Sequence, residues 1–288
     1  MHREGFWFSL LLSVFSAASA VRYSWFWLVR LEIKEANVAE EQWQRHETLG
    51  WRAVIGAMYP TFGGLIPANG EMDDAVPKGV VFHRAHFNGP HGWSVDAVKA
   101  VLPQIPEVAK EAAFPGVDMV IQSGLPIGII EGIGTDKKII SAIEKTTGVK
   151  GTTTITCVVE ALKKLQVTKV IIVTGYFGEQ VNGIFKKFMQ DSGFEVVYHT
   201  ERGGGRYSDV PPHAYYRIVK DAYHKFPQAQ GILISPGRAF SSMEIIEPLE
   251  TDLRIPVVTQ NSATLWNVLN IVEVREPVER WGRLLKMF

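Results

Sequence analysis

KVIIVTGYFGEQVNGIFKKFMQDSGFEVVYH, residues 169–199, holds one complete strand–helix–strand unit. Lys169–Thr174 is a short apolar run with little alternation, the pattern of a strand covered on both faces. Residues 178–192 read as the helix that follows, and Gly193 stands where its C-cap belongs. Glu195–His199 reads as the next strand. Two strands joined by a crossover helix are parallel neighbours of one sheet.

The alternation extends in both directions. Toward the N-terminus the candidate strands are Ala53–Tyr59, Val80–His86 and Met119–Gln122. Toward the C-terminus they are Gly231–Ser235 and Pro256–Thr259. Helical stretches fall between and after them, at about 94–114, 136–147, 155–166, 212–226, 241–254 and 261–270, with Gly148 and Gly231 at C-cap positions. The pattern predicts an α/β fold built on parallel sheets. The two halves also echo each other. Val120-Ile121-Gln122-Ser123-Gly124 and Leu233-Ile234-Ser235-Pro236-Gly237 are both apolar strands running into serine and glycine before a helix. Two lobes facing one another would set these strand ends across a shared cleft, where ligands of open parallel sheets bind.

Composition narrows the function. The chain has 288 residues, 46% hydrophobic, enough for one large domain or two lobes with a filled core. Thirty basic and 30 acidic side chains give zero net charge, and no basic stripe is present. Nucleic acid is therefore not an expected partner. The one cysteine, Cys157, excludes an intrachain disulfide and a cysteine-based metal cluster. Thr152-Thr153-Thr154-Ile155-Thr156 leads into an apolar helix, so Cys157 reads as a small buried core residue.

Residues 1–20, MHREGFWFSLLLSVFSAASA, stand apart. Arg3, an apolar run from Gly5 to Phe15 and Ala18-Ser19-Ala20 make a signal-peptide pattern. A mis-assigned start is the equal alternative. An uncleaved membrane anchor, reading on through Trp25–Val29 past Arg22, is the third. The protein is cytoplasmic under the second reading and secreted under the first, and touches a membrane only under the third. Residues 21–50 form a linker or helical extension.

Residues 55–70, IGAMYPTFGGLIPANG, carry a specific signal. Gly56, Pro60 and Gly64-Leu65-Ile66-Pro67-Ala68-Asn69-Gly70 resemble the first strand and loop of the arylmalonate decarboxylases, within the aspartate/glutamate racemase superfamily that also holds the maleate cis-trans isomerases. Gly116–Gly132, Val173-Thr174-Gly175-Tyr176, Gly231–Gly237 and Pro256–Ala263 match further stations in order, so the resemblance spans about residues 51–270. It implies two Rossmann-like lobes related by pseudo-twofold symmetry, with the active-site cleft between them. The expected lobes are 51–150, with 262–288 packing back on it, and 151–261. It also implies a cofactor-free, metal-free enzyme, monomeric or homodimeric, that forms an enediolate beside a carboxylate. Racemases of the superfamily move protons with cysteines at two cleft positions, and the decarboxylases use one, in the second lobe; the first-lobe position matches Gly124, as in the decarboxylases, and the second-lobe position matches Pro236. Two hydroxyl positions that hold the substrate carboxylate match Leu125 and Pro126.

The candidate catalytic residues are Tyr176 and Ser235, hydroxyls at strand ends able to donate to a carboxylate or an enediolate. The candidate substrate-binding residues are Pro60, Thr61, Ser123, Gly124, Leu125, Pro126, Pro236, Gly237 and Arg238. Backbone N–H groups around Gly124, Leu125, Gly237 and Arg238 could form an anion nest without side chains. Arg238 could pair with a second carboxylate. His83, His86 and His91 cluster in sequence, but His83 and His86 are three apart in a strand-to-loop region and point to opposite faces. Gly203-Gly204-Gly205 lacks the phosphate-loop pattern and reads as a loop or lid. The expected activity is decarboxylation of a small malonate-like acid. The alternatives are an isomerase, racemase or hydratase of a small dicarboxylic acid such as maleate, or a non-catalytic carboxylate-binding protein on the same scaffold.

Overall fold

The computed structural model describes residues 50–60, 70–88, 92–175, 178–201, 211–235 and 242–288. Arg52–Phe288 is one compact unit, and the description below concerns it. Its first sheet contains β1 (Ala53–Pro60), β2 (Val80–Phe87), β3 (Met119–Gln122) and β4 (Lys150–Thr153), in the order β2-β1-β3-β4. The second contains β5 (Lys169–Thr174), β6 (Glu195–Glu201), β7 (Gly231–Ser235) and β8 (Val257–Thr259), in the order β6-β5-β7-β8. Every pairing is parallel. The two sheets thus repeat one topology, and the two echoing segments are the third strands of their respective sheets. The fold is α/β with two parallel sheets, as the alternation predicts.

In chain order the helices are α1 (Gly70–Ala75), α2 (Val95–Lys99), α3 (Ile105–Ala113), α4 (Leu125–Ile129), α5 (Thr135–Thr147), α6 (Thr154–Lys164), α7 (Glu179–Asp191), α8 (Pro212–Lys225), α9 (Ile246–Leu253) and α10 (Gln260–Ile271). Helices cover the strands, so β3, β5 and β7 are buried along almost their whole lengths. That burial explains why these strands lack alternation. Each fully buried Ile or Val side chain contributes about 1.5–3 kcal/mol to the folded state. α10 follows the last strand of the second sheet, yet packs along α6 and reaches β3 and α1 of the first half.

Several local expectations change. The stretch 94–114 is not one helix: α2 stops at Lys99, a 3₁₀ turn covers Leu102–Gln104, and α3 starts at Ile105. Pro103 and Pro106 sit in the first turns of the later two pieces, where a missing N–H costs nothing; inside one continuous helix they would break it. β4 is a strand that the pattern hides, because KGTT has no apolar run and lies directly against the helix it feeds. Gly231 is not a C-cap but the first residue of β7; Phe226 caps α8 instead. Gly148 does cap α5, with φ +75°, and Gly193 follows α7 with φ +95°.

Cys157 lies in α6 and is fully buried. Its Sγ is 3.4 Å from Asn267 Oδ1 on α10 and 3.7 Å from Thr152 Oγ1. Burial pushes the thiol up to about 12. A neutral, enclosed thiol is a poor nucleophile. Iodoacetamide should leave Cys157 unmodified in the native protein through pH 9 and alkylate it only after denaturation, which mass spectrometry of the intact chain reads directly.

His199, near the end of β6, contacts Thr174 Oγ1 through Nε2 at 3.2 Å, while its buried Nδ1 has no protein partner. Burial, with Lys186 adding repulsion, lowers this imidazole to about 4. In the unfolded chain it titrates near its ordinary value of about 6.5. Between these two values the unfolded state binds more protons, so stability falls as pH drops through that window. His199→Gln should flatten the loss of melting temperature between pH 7 and pH 4.5, measured against the wild type in the same buffers.

Candidate active site

β1 and β3 are neighbours at the centre of the first sheet, but the chain leaves β1 toward β2 on one side and β3 toward β4 on the other. Crossovers that diverge in this way leave a crevice beyond the carboxyl ends of the two strands. A cavity of about 30 Å³ lies there, with Tyr59 and Pro60 from β1 on one wall and Ser123 and Gly124 after β3 on another. Met72 of α1 and Trp93 add apolar surface. Thr154 of α6, and Gln260, Asn261 and Thr264 of α10, close the far side. All of these described lining residues are uncharged.

The floor depends on glycine. Gly124 has φ +99° and turns the chain from β3 into α4. A Cβ there would stand 3.0 Å from Pro60 Cγ, so a side chain at this position is strained and crowded. The Gln122 side-chain amide donates to Gly124 O at 3.0 Å and to Ser123 O, pinning the turn from within. The Ser123 N–H donates to Met58 O at 2.9 Å and ties the turn to β1.

Two helices begin at the cavity. Thr153 caps α6, its hydroxyl accepting from the Thr156 N–H at 3.2 Å. Thr259 caps α10 in a reciprocal pair with Ser262, at 3.1 and 2.9 Å. Both helices present their positive ends toward the space that Thr154, Gln260 and Asn261 line, a setting that favours an anion. Ser235, at the end of β7, is fully buried and donates its hydroxyl to Gln260 Oε1 at 3.0 Å. It therefore acts on the cavity through Gln260.

Tyr59 is 3% exposed, and its hydroxyl makes no hydrogen bond among the described residues. Burial raises the phenol above its ordinary value; Ser123 and the Arg84 guanidinium beside it pull the other way without reaching hydrogen-bond geometry. The phenol is thus a neutral donor at working pH. Arg84, on β2, pairs with Asp73 at 2.5 Å, while its buried Nε has no partner.

Pro60, Ser123 and Gly124 come together on this cavity, and Ser235 approaches through Gln260. Leu125 and Pro126 are buried in α4 and do not line it. Thr61, the Gly64–Asn69 loop, His91, Tyr176, the Gly203–Gly205 run, Pro236, Gly237, Arg238 and the N-terminal segment 1–49 lie outside the described residues. The sequence pattern marks neither Tyr59 nor Gln260, Asn261, Thr154 or Thr264. The only signal for them is position: each stands at a strand end or in the helical turn after one. Among the described residues no group of three His, Cys, Asp or Glu could hold a metal.

Glu71 of α1 joins the two halves behind the cavity. It is buried, and its carboxylate accepts from Asn261 Nδ2, from the Ser242 hydroxyl at 3.2 Å and from the Met243 N–H at 2.9 Å. Asn261 is thereby fixed with its amide nitrogen turned to Glu71. Glu71→Ala would strand buried donors, which costs about 1–3 kcal/mol. Urea denaturation should show a loss of that size with an unchanged slope.

Residues 55–285 match the arylmalonate decarboxylase family. Arylmalonate decarboxylase of Bordetella bronchiseptica is 24% identical over 223 residues, covering 75% of this chain and 89% of the relative. The structure of an unliganded arylmalonate decarboxylase superposes with a TM-score of 0.70 at 23% identity, over 81% of this chain and 98% of the other. The maleate isomerase Iso of Pseudomonas putida S16 superposes with a TM-score of 0.72 at 18% identity, over the same shares. These likenesses give the fold of two parallel-sheet lobes, and the match across residues 55–285 places the chain in the arylmalonate decarboxylase family.

Proposed function

We propose that the protein is a cofactor-independent lyase that decarboxylates a small malonate-like acid. The observation that carries this is the cavity at the ends of β1 and β3, lined among the described residues by neutral donors and faced by the starts of α6 and α10. Such a site holds one carboxylate by hydrogen bonds and dipoles, with no formal charge among the described lining residues. The cavity takes one carboxylate head, so the second carboxylate stays outside it, next to the apolar surface of Met72 and Trp93, where loss of its charge is favoured. In the reaction the bond between the α-carbon and that carboxylate breaks. Its electron pair passes into the retained carboxylate, CO2 departs and an enediolate remains. Donors aimed at the retained oxygens stabilise the developing charge. A proton from water or a cleft hydroxyl then completes the α-carbon.

In this reading Pro60, Ser123 and Gly124 shape the substrate site, while Leu125 and Pro126 stand outside the cavity and supply no hydroxyls. Thr61, Pro236, Gly237 and Arg238 are substrate-binding candidates on sequence grounds, and Tyr176 is a candidate hydroxyl donor on the same grounds. Ser235 serves by orienting Gln260. Bond breaking needs no thiol, so Pro236 at the decarboxylases' cysteine position does not exclude it. The likeness to maleate isomerase supports a second reading, isomerisation of a small unsaturated diacid.

Proton NMR in D2O with malonate, methylmalonate, phenylmalonate and maleate separates these readings. Decarboxylation should yield the acid shorter by one carboxylate, with one deuterium at the α-carbon. Fumarate from maleate would favour the isomerase instead. Binding without turnover across the panel would replace both with a carboxylate-binding protein.

A further inference from the structure

A tyrosine hydroxyl with no partner in a protein interior is uncommon, because its desolvation goes unrewarded. Tyr59 is such a group, and it lines the cavity rather than the closed core. Its ring lies beside that of His86, its partner in register on β2, with centroids 6.4 Å apart. Ser123 lines the same cavity, and the orphaned Nε belongs to Arg84, the cation beside the phenol. Asp73, on α1, is the acidic group that balances Arg84, and it is paired with Nη2 of the guanidinium. The cavity has room for roughly two water-sized groups, the size of one carboxylate head.

From these features we infer that the Tyr59 hydroxyl is a specificity-determining donor that grips one carboxylate oxygen of the ligand, with Arg84 lending charge from behind. The inference rests on the carboxylate ligand of the proposed function, but not on any bond being broken. The hydroxyl is left unsatisfied in the empty protein and becomes satisfied when the anion enters. This assigns opposite signs to two measurements. Removing the oxygen weakens binding, since a hydrogen bond to a charged group is lost. It leaves the ligand-free fold unharmed, since no protein hydrogen bond disappears with it.

The test compares the full chain with Tyr59→Phe, using malonate and maleate as probes in calorimetric titration, with thermal melts of both ligand-free proteins. The variant should bind the better probe roughly tenfold to a hundredfold more weakly. Its melting temperature should match or exceed that of the wild type. A second measurement needs no variant: malonate should shift the near-ultraviolet tyrosine absorption of the wild type, and it should do so saturably. Unchanged affinity in Tyr59→Phe overturns the inference. So does a lowered melting temperature with unchanged affinity, which would make the hydroxyl a core partner. A wild type that binds none of the probes, or binds without a tyrosine shift, overturns it too. If the probes bind in a Tyr59-dependent way but none is turned over, the decarboxylase reading fails while this assignment stands.

Discussion

The side-by-side parallel pairing of β1 and β3 is the constraint on which the site rests. Ile55–Met58 runs in register with Met119–Gln122, and the chain leaves the two strands in opposite directions. No side chain creates the resulting crevice; topology does. The crevice then collects whatever stands at the strand ends, here Tyr59-Pro60 and Ser123-Gly124. Gly124 lets those two ends approach, because its positive φ and missing Cβ allow Pro60 to close against the turn.

Among the described residues the second half contributes to this cavity by reach. α10 leaves β8 and crosses to lie along α6, so Gln260 and Asn261 enter a cavity built mainly by the first sheet. Glu71 holds Asn261 and the segment at Ser242–Met243 from the opposite side. Ser235 holds Gln260. The two lining amides are thus each fixed by a buried group: Asn261 has its nitrogen engaged, and Gln260 its oxygen, which leaves the Gln260 amide nitrogen as a preorganised donor that loses little on binding.

The cavity polarity follows from this arrangement. Helix starts, hydroxyls and the Gln260 amide supply positive potential without a formal charge among the described lining residues. An anion placed there is held by dipoles that are already oriented, which is also what a developing enediolate requires. Cys157 takes no part. It sits inside α6 against Asn267 and Thr152, with its thiol held neutral by burial.

The sequence alone determined the alternation of strands and helices. Parallel strands covered on both faces must be short apolar runs, and β1, β3, β5 and β7 carry that signature. It determined the resemblance at Gly56, Pro60 and Gly64–Gly70, and with it the expectation that Pro60, Ser123 and Gly124 share a site. It did not mark β4, whose Gly and Thr residues gain their place from pairing with β3, nor the breaks at Pro103 and Pro106 within a continuous-looking helix. Tertiary structure alone decided the partners. Tyr59 reads as one more apolar strand residue until its hydroxyl is seen to lack a hydrogen bond. Ser235 reads as a free hydroxyl until it is seen bonded to Gln260. Glu71 reads as a solvated helix charge until three donors from 171 to 190 positions away converge on it. Burial and hydrogen bonding are properties of neighbours in space, and spacing along the chain does not encode them.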